Sequence, residues 1–533
     1  MVPVRVFRFR QGALHGPPGG HSGGIPLAAG AGPGNTATVS VTRATLVPSL
    51  VLTLACAGAW GDACALRAQE AAPPDAATGT LGSSVAGAGG LVVTGAPYSN
   101  ASGFESGAAF VFRVVDHELV LDEALTAPGV GSGDRFGFAV ATDGVSIAVG
   151  SPDDSGLAFG SGSVRVFREA GGNWSSDGVV LAPDGGAEDR FGASVAIIGD
   201  TLIVGAPSRG GDDAGAVYVF AWDGASWTHT QTIVAGDSDS GDHFGTSLSI
   251  DGNRLLIGAF ADDEGGEDAG AGYIYERVAG VWVFGAKLIA ASGAAADLMG
   301  WSSALSGDIA VLGAPGRDAG GSQAGAAVVF DFQGGLWAEQ GTLVGSGSSA
   351  FDRRGSSVAA EDGLVILGAP RDDADGANSG SASVFARSSG VWREVAFVRP
   401  SSGNAGAELG AGVALADGIG VFGAPKAAGG NGRLFVLPAI DDCDSSDVLD
   451  ACEVASGALA DENGDLVPDA CDPPPCPGDA TGNGVVDVRD LNLVLAFWGQ
   501  QPYEPFLSAD ITGDGFVDVD DLNVVLTSWG CRR

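Results

Sequence analysis

One short phrase recurs seven times in this chain at an almost constant interval. A large residue, aromatic in three of the copies, and Gly are followed after a short stretch by Gly-Ala-Pro or a one-residue variant of it, and the glycines that open this triplet are Gly95, Gly150, Gly205, Gly258, Gly313, Gly368 and Gly423. The interval from one glycine to the next is the same throughout, except that the step from Gly205 to Gly258 is slightly shorter. Repetition at one period indicates a single supersecondary unit copied in a ring or a row. Such scaffolds mostly present surfaces rather than one catalytic cleft.

Each unit reads as four short strands. The third copy contains four β-branched or apolar runs, at Ala193–Ile198, Thr201–Val204, Ala216–Phe220 and Trp227–Val234. Gly/Asp turns separate these runs, which is typical of antiparallel strands joined by hairpins. Four strands form one propeller blade, so seven units predict a mainly β fold, a seven-bladed β-propeller. We expect the glycine of Gly-Ala-Pro where inner strands converge and a side chain would clash.

Two columns of large side chains recur at fixed places in the unit. The first could plug the gap between neighbouring blades and comprises Leu81, Phe136, Phe191, Phe244, Met299, Arg354 and Leu409. The second comprises Leu119, Trp174, Trp227, Trp282, Trp337 and Trp392. We expect both columns to form inter-blade core, and a ligand platform is the alternative for the tryptophans.

The unit resembles the FG-GAP repeat of integrin α-subunit propellers and of many bacterial surface proteins, and the resemblance spans the predicted domain 63–440. It implies a seven-bladed propeller. Integrin blades often carry an Asp-x-Asp-x-Asp-Gly calcium loop before Gly-Ala-Pro. Here that link is a tight turn, such as Thr142-Asp143-Gly144 or Ile250-Asp251-Gly252, with too few carboxylates for calcium. The integrin calcium sites are therefore not expected in these blades.

The seventh unit lacks a fourth strand of its own. Residues Leu66–Glu70 lie where that strand precedes every other repeat. We therefore predict that this N-terminal strand completes the last blade and closes the ring, which removes exposed edges.

Acidic pairs follow several Gly-Ala-Pro triplets, at Asp153-Asp154, Asp212-Asp213, Asp262-Asp263 and Asp372-Asp373. One interpretation is a ring of carboxylates on one face that binds cations or a basic partner. The other is turn chemistry, because Asp favours turns.

Two C-terminal segments, which begin at Asp479 and Asp510, match each other closely. Each places oxygen ligands at loop positions 1, 3, 5, 9 and 12, a carbonyl at 7 and Gly at 6, the pattern of a calcium loop. The first set is Asp479, Thr481, Asn483, Asp487 and Asp490 with the Val485 carbonyl. The second set is Asp510, Thr512, Asp514, Asp518 and Asp521 with the Phe516 carbonyl. The sequence therefore predicts Ca²⁺ as the cofactor.

A helix is predicted after each loop, ending at Gly499 or Gly530. Their apolar residues recur at i, i+3, i+4 and i+7: Leu491, Val494, Leu495 and Trp498, then Leu522, Val525, Leu526 and Trp529. This loop-helix pair resembles a type I dockerin, here 476–533, a small α-helical domain. The resemblance implies calcium-dependent folding and docking to a cohesin-like domain, as in polysaccharide-degrading complexes. Ala496, Phe497, Thr527 and Ser528 occupy positions that often carry Lys or Arg in cellulosomal dockerins.

The segments outside these domains suggest export. Within residues 1–62, an Arg-bearing stretch precedes the apolar run Ala44–Ala57, which is typical of a signal peptide. Residues 441–475 resemble a thrombospondin type 3 calcium repeat, with a plain acidic linker as the alternative. Five cysteines in this linker and the tail favour disulfides there, in an oxidising compartment.

The net charge of −39 makes nucleic acid and anionic membrane poor partners. No segment approaches a membrane span, and no nucleophile elbow, zinc-type His spacing or phosphate loop is present. We therefore expect no enzyme but a secreted, extracellular or cell-surface adhesion protein. Its propeller would bind an unknown protein or glycan, and its tail a cohesin-like domain. The alternative is an accessory or catalytic component of a secreted polysaccharide-degrading complex.

Overall fold

The computed structural model describes residues 67–69, 79–115, 117–127, 129–388, 390–400, 405–437, 488–498 and 516–527. These residues form seven four-stranded antiparallel sheets, which we call blades 1 to 7. The first strands of neighbouring blades contact one another around a complete ring, from blade 1 through blade 7 and back to blade 1. The chain is therefore a mainly β, seven-bladed propeller, as the repeat predicts.

In blades 1 to 6 the strands run from the centre of the ring outward in chain order. Blades 1 to 3 contain β2 (Ser84–Ala88), β3 (Leu91–Ala96), β4 (Ala108–Val115) and β5 (Glu118–Leu125); β6 (Ala139–Thr142), β7 (Ser146–Ser151), β8 (Ser163–Ala170) and β9 (Asn173–Val180); and β10 (Ser194–Ile198), β11 (Thr201–Ala206), β12 (Ala216–Trp222) and β13 (Trp227–Ile233). The four strands predicted for the third repeat are confirmed within two residues at each end.

The remaining blades repeat the pattern. Blades 4 to 6 contain β14 (Ser247–Asp251), β15 (Arg254–Ala259), β16 (Ala271–Val278) and β17 (Val281–Leu288); β18 (Ser302–Ser306), β19 (Ile309–Ala314), β20 (Ala326–Gln333) and β21 (Leu336–Leu343); and β22 (Ser357–Glu361), β23 (Leu364–Ala369), β24 (Ser381–Ser388) and β25 (Val391–Val398). Blade 7 contains β26 (Val413–Ala416), β27 (Ile419–Ala424), β28 (Arg433–Leu437) and β1 (Arg67–Gln69), with a helical turn α1 at Ala427–Gly430.

The ring is closed by the N-terminal strand. β1 pairs antiparallel with β28, and Ala68 lies opposite Phe435. A parallel bridge between Leu81 and Gly432 makes a second link between blades 1 and 7. The predicted borrowed strand is thus confirmed.

Hydrophobic clusters fill each space between blades. The Phe191 side chain is fully buried between blades 2 and 3, where its ring centroid lies 5.5 Å from that of Tyr218 in an edge-on contact. Burying one such aromatic side chain stabilises the fold by about 1.5–3 kcal/mol. The tryptophans of the second column pack against the same inter-blade clusters, as Trp174 and Trp282 show. Both columns are therefore inter-blade core, as predicted.

The glycine of Gly-Ala-Pro marks a backbone-to-backbone contact between blades. A Cβ atom on Gly205 would lie 2.2 Å from the carbonyl oxygen of Gly245, the glycine that follows the next plug residue. The hydroxyl of Ser194 donates to that same carbonyl at 2.7 Å. The crowding that the sequence predicts at this glycine is confirmed.

Two further helices, α2 (Val488–Ala496) and α3 (Val519–Thr527), lie in the predicted dockerin-like segment. The predicted leader, 1–62, and linker, 441–475, lie outside the described residues, so these domain boundaries stay predictions. None of the helices in the described part of the chain combines the length and apolar character that a membrane span requires.

Candidate functional site

Two sets of loops meet on one side of the ring. In each blade the loop between the second and third strands hydrogen-bonds to the loop that enters the first strand of the next blade. In blades 2 and 3, Arg190 N donates to Gly160 O at 3.2 Å and Phe191 N donates to Ser161 O at 3.0 Å. The same pairing recurs around the ring. We call this side of the propeller the loop face.

The residue before each plug residue adopts a left-handed backbone conformation. Its φ lies between 55° and 71° at Thr80, Arg135, Arg190, His243, Leu298, Arg353 and Glu408. A non-glycine residue in this region costs about 1 kcal/mol or more and persists where surrounding structure fixes it. Here the backbone N–H is fixed by the neighbouring loop, as His243 N donates to Asp213 O at 3.0 Å. The loop face thus holds seven equivalent positions rigidly while their side chains differ.

The acidic pairs after Gly-Ala-Pro serve their own loops. In blade 6, Asp372 is 2 % exposed, and its carboxylate accepts hydrogen bonds from the Ser381 hydroxyl and from Ala374 N, both at 2.7 Å. Asp373 accepts one from Asn378 N at 2.6 Å. Blade 4 repeats the second contact between Asp263 and Asp268 N. These bonds favour the turn interpretation over a cation-binding ring.

A column of buried aspartates lies two residues before the plug in blades 2 to 6: Asp134, Asp189, Asp242, Asp297 and Asp352. Each accepts a hydrogen bond from the backbone N–H three residues earlier, for example from Ser349 N to Asp352 at 2.6 Å. Burial raises the pKa of Asp352 to about 6, although this hydrogen bond opposes the shift. Sequence reasoning missed the column, whose signal was the recurring Asp before the plug.

Lys287 lies among three carboxylates in blade 4. Its Nζ atom is 2.8 Å from carboxylate oxygens of Asp237, Asp262 and Glu264. The Tyr273 hydroxyl donates to Asp262 at 2.7 Å. Burial alone would lower the pKa of Lys287, but its hydrogen bonds to Asp237, Asp262 and Glu264 outweigh burial and raise it. The ammonium therefore remains charged and ties the loop face to the fourth strand.

Three aromatic side chains are in contact at the loop face between blades 4 and 5, His243 stacked on Phe260 and Trp301 edge-on to Phe260. The His243 and Phe260 ring centroids are 4.9 Å apart with nearly parallel planes, and the Phe260 and Trp301 centroids are 5.1 Å apart. Trp301 is 39 % exposed. The arrangement offers an aromatic surface to a ligand.

The centre of the ring holds a cavity of about 210 Å³. Small side chains of the first strands line it, including Ala86, Ala304, Ala359 and Ala414, with Ser303.

The predicted calcium ligands are described only in part. Asp479, Thr481, Asn483, Val485, Asp487, Asp510, Thr512 and Asp514 lie outside the described residues, and Asp490 lies in α2. In the second loop, Phe516 is exposed, whereas the Asp521 side chain is fully buried and accepts a hydrogen bond from Asp518 N at 2.8 Å. Within the described ranges, no group of three or more His, Cys, Asp or Glu side chains is placed to hold a metal ion. The calcium sites stay a prediction.

The two tail helices pack on each other through equivalent residues. Val494 of α2 and Val525 of α3, which occupy the same place in the two matching segments, are fully buried together with Val517. Leu495 and Trp498, which the periodicity places on the apolar stripe of the first helix, are 49 % and 44 % exposed. Only part of the predicted stripe is therefore buried in the described residues.

Comparison with known families gives five matches. The FG-GAP repeat matches residues 120–167, 174–220, 227–275, 282–330 and 337–385. Each matched segment runs from the fourth strand of one blade to the third strand of the next. No curated protein matches the chain. The chain therefore carries five FG-GAP repeats, folded within a seven-bladed β-propeller.

Proposed function

We propose that this chain is an exported, non-catalytic binding or adhesion protein whose loop face presents the ligand surface. The observation that carries the proposal is the ring of seven fixed backbone positions, whose side chains range from Thr and Leu to Arg, His and Glu. A rigid frame that varies only in its side chains suits recognition, since sites on rigid elements hold their geometry. FG-GAP propellers are also typically non-catalytic.

The tail would attach the protein to a cohesin-like partner or to the cell envelope, with Ca²⁺ bound in its two loops. Support comes from the internal match of the two tail segments and from the shared core of α2 and α3. The buried Asp521 carboxylate stands at the last ligand position of its loop and turns back toward Asp518. Metal binding there would contribute directly to folding of the tail.

A pull-down with the full chain immobilised, with and without calcium, tests the attachment. We expect a cohesin-bearing partner to bind only with calcium. Capture that is equal in chelator contradicts the calcium-dependent attachment.

The second candidate is an accessory or catalytic component of a secreted polysaccharide-degrading complex, and the dockerin resemblance favours it. A glycan array combined with a hydrolase screen separates the two. Binding without turnover supports the adhesion proposal. Turnover that is lost when a carboxylate of the propeller is replaced contradicts it.

A further inference from the structure

The aromatic cluster on the loop face, formed by His243, Phe260 and Trp301, arises where blades 4 and 5 depart from the repeat. Phe260 occupies the position that is proline in the other six units: Pro97, Pro152, Pro207, Pro315, Pro370 and Pro425. Trp301 occupies a position that is otherwise Ser83, Phe138, Ala193, Thr246, Ser356 and Ala411. Proline ends the second strand elsewhere, so its replacement by an aromatic that touches two further rings is not required by the fold.

Two arginines, Arg353 and Arg371, lie on the loop face of blade 6. Arg371 N donates to the carbonyl of Asp352, the residue next to Arg353, at 3.3 Å, so the two arginines belong to touching segments. Among the described residues, neither guanidinium forms an ion pair. Burial lowers the pKa of Arg353, and the nearby charge of Arg371 lowers it further. The two like charges are held near each other.

This lack of a counter-charge is unusual in a chain with a net charge of −39. Elsewhere on the loop face, Arg135 lies 3.2 Å from Asp153, Arg317 lies 3.2 Å from Asp297, and Lys426 lies 2.7 Å from Glu408. With so many carboxylates available, Arg353 and Arg371 leave room for an anionic group that is supplied by a ligand.

Backbone contacts bring the segments that carry Trp301 and Arg353 together. Gly300 N, next to Trp301, donates to Gly313 O at 3.0 Å, and a Cβ atom on Gly313 would meet the carbonyl oxygen of Gly355, which follows Arg353 by two residues. At the equivalent positions of blades 2 and 3, the Arg190 guanidinium lies 5.6 Å from the centroid of the Phe138 ring. Trp301 and Arg353 occupy those same two positions in blades 5 and 6. One stretch of the loop face therefore carries an exposed indole and two guanidinium groups that form no ion pair with the described residues.

We propose that Trp301, supported by Phe260, and the Arg353–Arg371 pair bind an acidic glycan through a uronic acid residue. This inference rests on the proposed binding function of the propeller. The flat C–H face of a pyranose ring packs against an exposed indole. The carboxylate on the same ring pairs with guanidinium groups, which suit carboxylates because they offer several donors in a fixed plane. A neutral sugar would contact only the indole, and an acidic peptide would pair only with the arginines, so each should bind more weakly than a uronic acid.

Calorimetric titration of the full chain with an oligogalacturonate tests the inference. The comparison ligands are its methyl ester, a neutral galacto-oligosaccharide of equal length and a polyglutamate peptide. We expect binding of the oligogalacturonate and at least tenfold weaker binding of the other three. The methyl ester removes the negative charge of the ligand and leaves its sugar ring unchanged, so this comparison needs no protein variant.

Variants then locate the site. Arg353→Gln with Arg371→Gln, and separately Trp301→Ala, should each weaken oligogalacturonate binding at least tenfold. Arg254→Gln is the control, because Arg254 begins β15, at the end of that strand opposite the loop face, and is already paired with Asp308 at 2.5 Å. Unchanged binding by the double variant, equal binding of the ester or the peptide, or no binding of the uronate overturns the inference. The glycan array and the hydrolase screen then test the proposed function separately. Binding of another glycan supports the binding function even if this inference fails, and turnover contradicts the binding function.

Discussion

Replacing Lys287 by Met should destabilise the propeller, because one buried carboxylate, that of Asp262, would lose its counter-charge. The methionine retains the apolar stem but removes the charge that contacts Asp237, Asp262 and Glu264. The side chains of Asp237 and Glu264 are 48 % and 58 % exposed, so water can solvate them. The Asp262 side chain is only 3 % exposed and would remain buried without its cation.

The size of the loss follows from that difference. Breaking a fully buried ion pair costs about 3–5 kcal/mol. The Tyr273 hydroxyl, 2.7 Å from Asp262, still donates to it in the variant and reduces this cost. We therefore expect the free energy of unfolding to fall by about 2 kcal/mol at pH 7. Urea unfolding should show a lower midpoint with an unchanged slope.

The pH dependence gives a second check. Burial alone would raise the pKa of Asp237, but the hydrogen bond and charge of Lys287 outweigh it and lower the pKa below its ordinary 3.8. An acid with a lowered folded pKa stabilises the fold above its unfolded pKa, and this contribution is lost as the pH falls through the folded value. The difference in the free energy of unfolding between the wild type and Lys287→Met should therefore become smaller below about pH 4.

The control is Lys426→Met, which removes an exposed pair with Glu408. This control should lower the free energy of unfolding by less than about 1 kcal/mol. Equal losses in the two variants, or a Lys287→Met difference that widens in acid, would refute this reasoning.

Three further predictions concern the inter-blade contact, the buried aspartates and the tail. Gly205→Ala should lower the free energy of unfolding in urea by about 3 kcal/mol or more, because its Cβ would meet the Gly245 carbonyl. Gly236→Ala is the control, because it lies in open surroundings and should change that free energy by no more than about 0.5 kcal/mol. Equal effects of the two variants contradict the packing argument. Because burial raises the pKa of Asp352 to about 6, the fold should lose roughly 1–3 kcal/mol of stability as the pH rises from about 4 to about 6. Asp352→Asn should abolish this pH-dependent loss. A variant that loses stability over the same pH range as the wild type contradicts the prediction. Chelation of calcium should reduce the helical circular dichroism signal and leave the β signal intact, and loss of the β signal would show that the blades also need calcium.

The sequence predicted the ring well because repetition tests each local assignment seven times. The strands of the third blade, the plug column and the borrowed strand β1 all follow from the period alone. Residues that act between copies were harder. The cluster around Lys287 brings together Asp237 and Asp262, which no local pattern connects.

The loop face was predictable in position but not in detail. The left-handed φ of Leu298 contradicts local preference, because the hydrogen bond from Leu298 N to Asp268 O, in the adjacent loop, fixes it. The tail shows a similar limit. Periodicity places Val494 and Leu495 on one apolar stripe, yet only Val494 is buried against the other helix.

Closure by β1 also has a kinetic consequence. Arg67 pairs with Val436, so the strands that complete blade 7 come from opposite ends of the propeller sequence. Pairing across so long a stretch of chain is slow, because loop-closure entropy is lost before the contact forms. During synthesis, β28 must leave the ribosome before blade 7 can be completed. Until then β1 and the flanks of blades 1 and 7 stay uncovered, and this interval is when the chain is most exposed to aggregation.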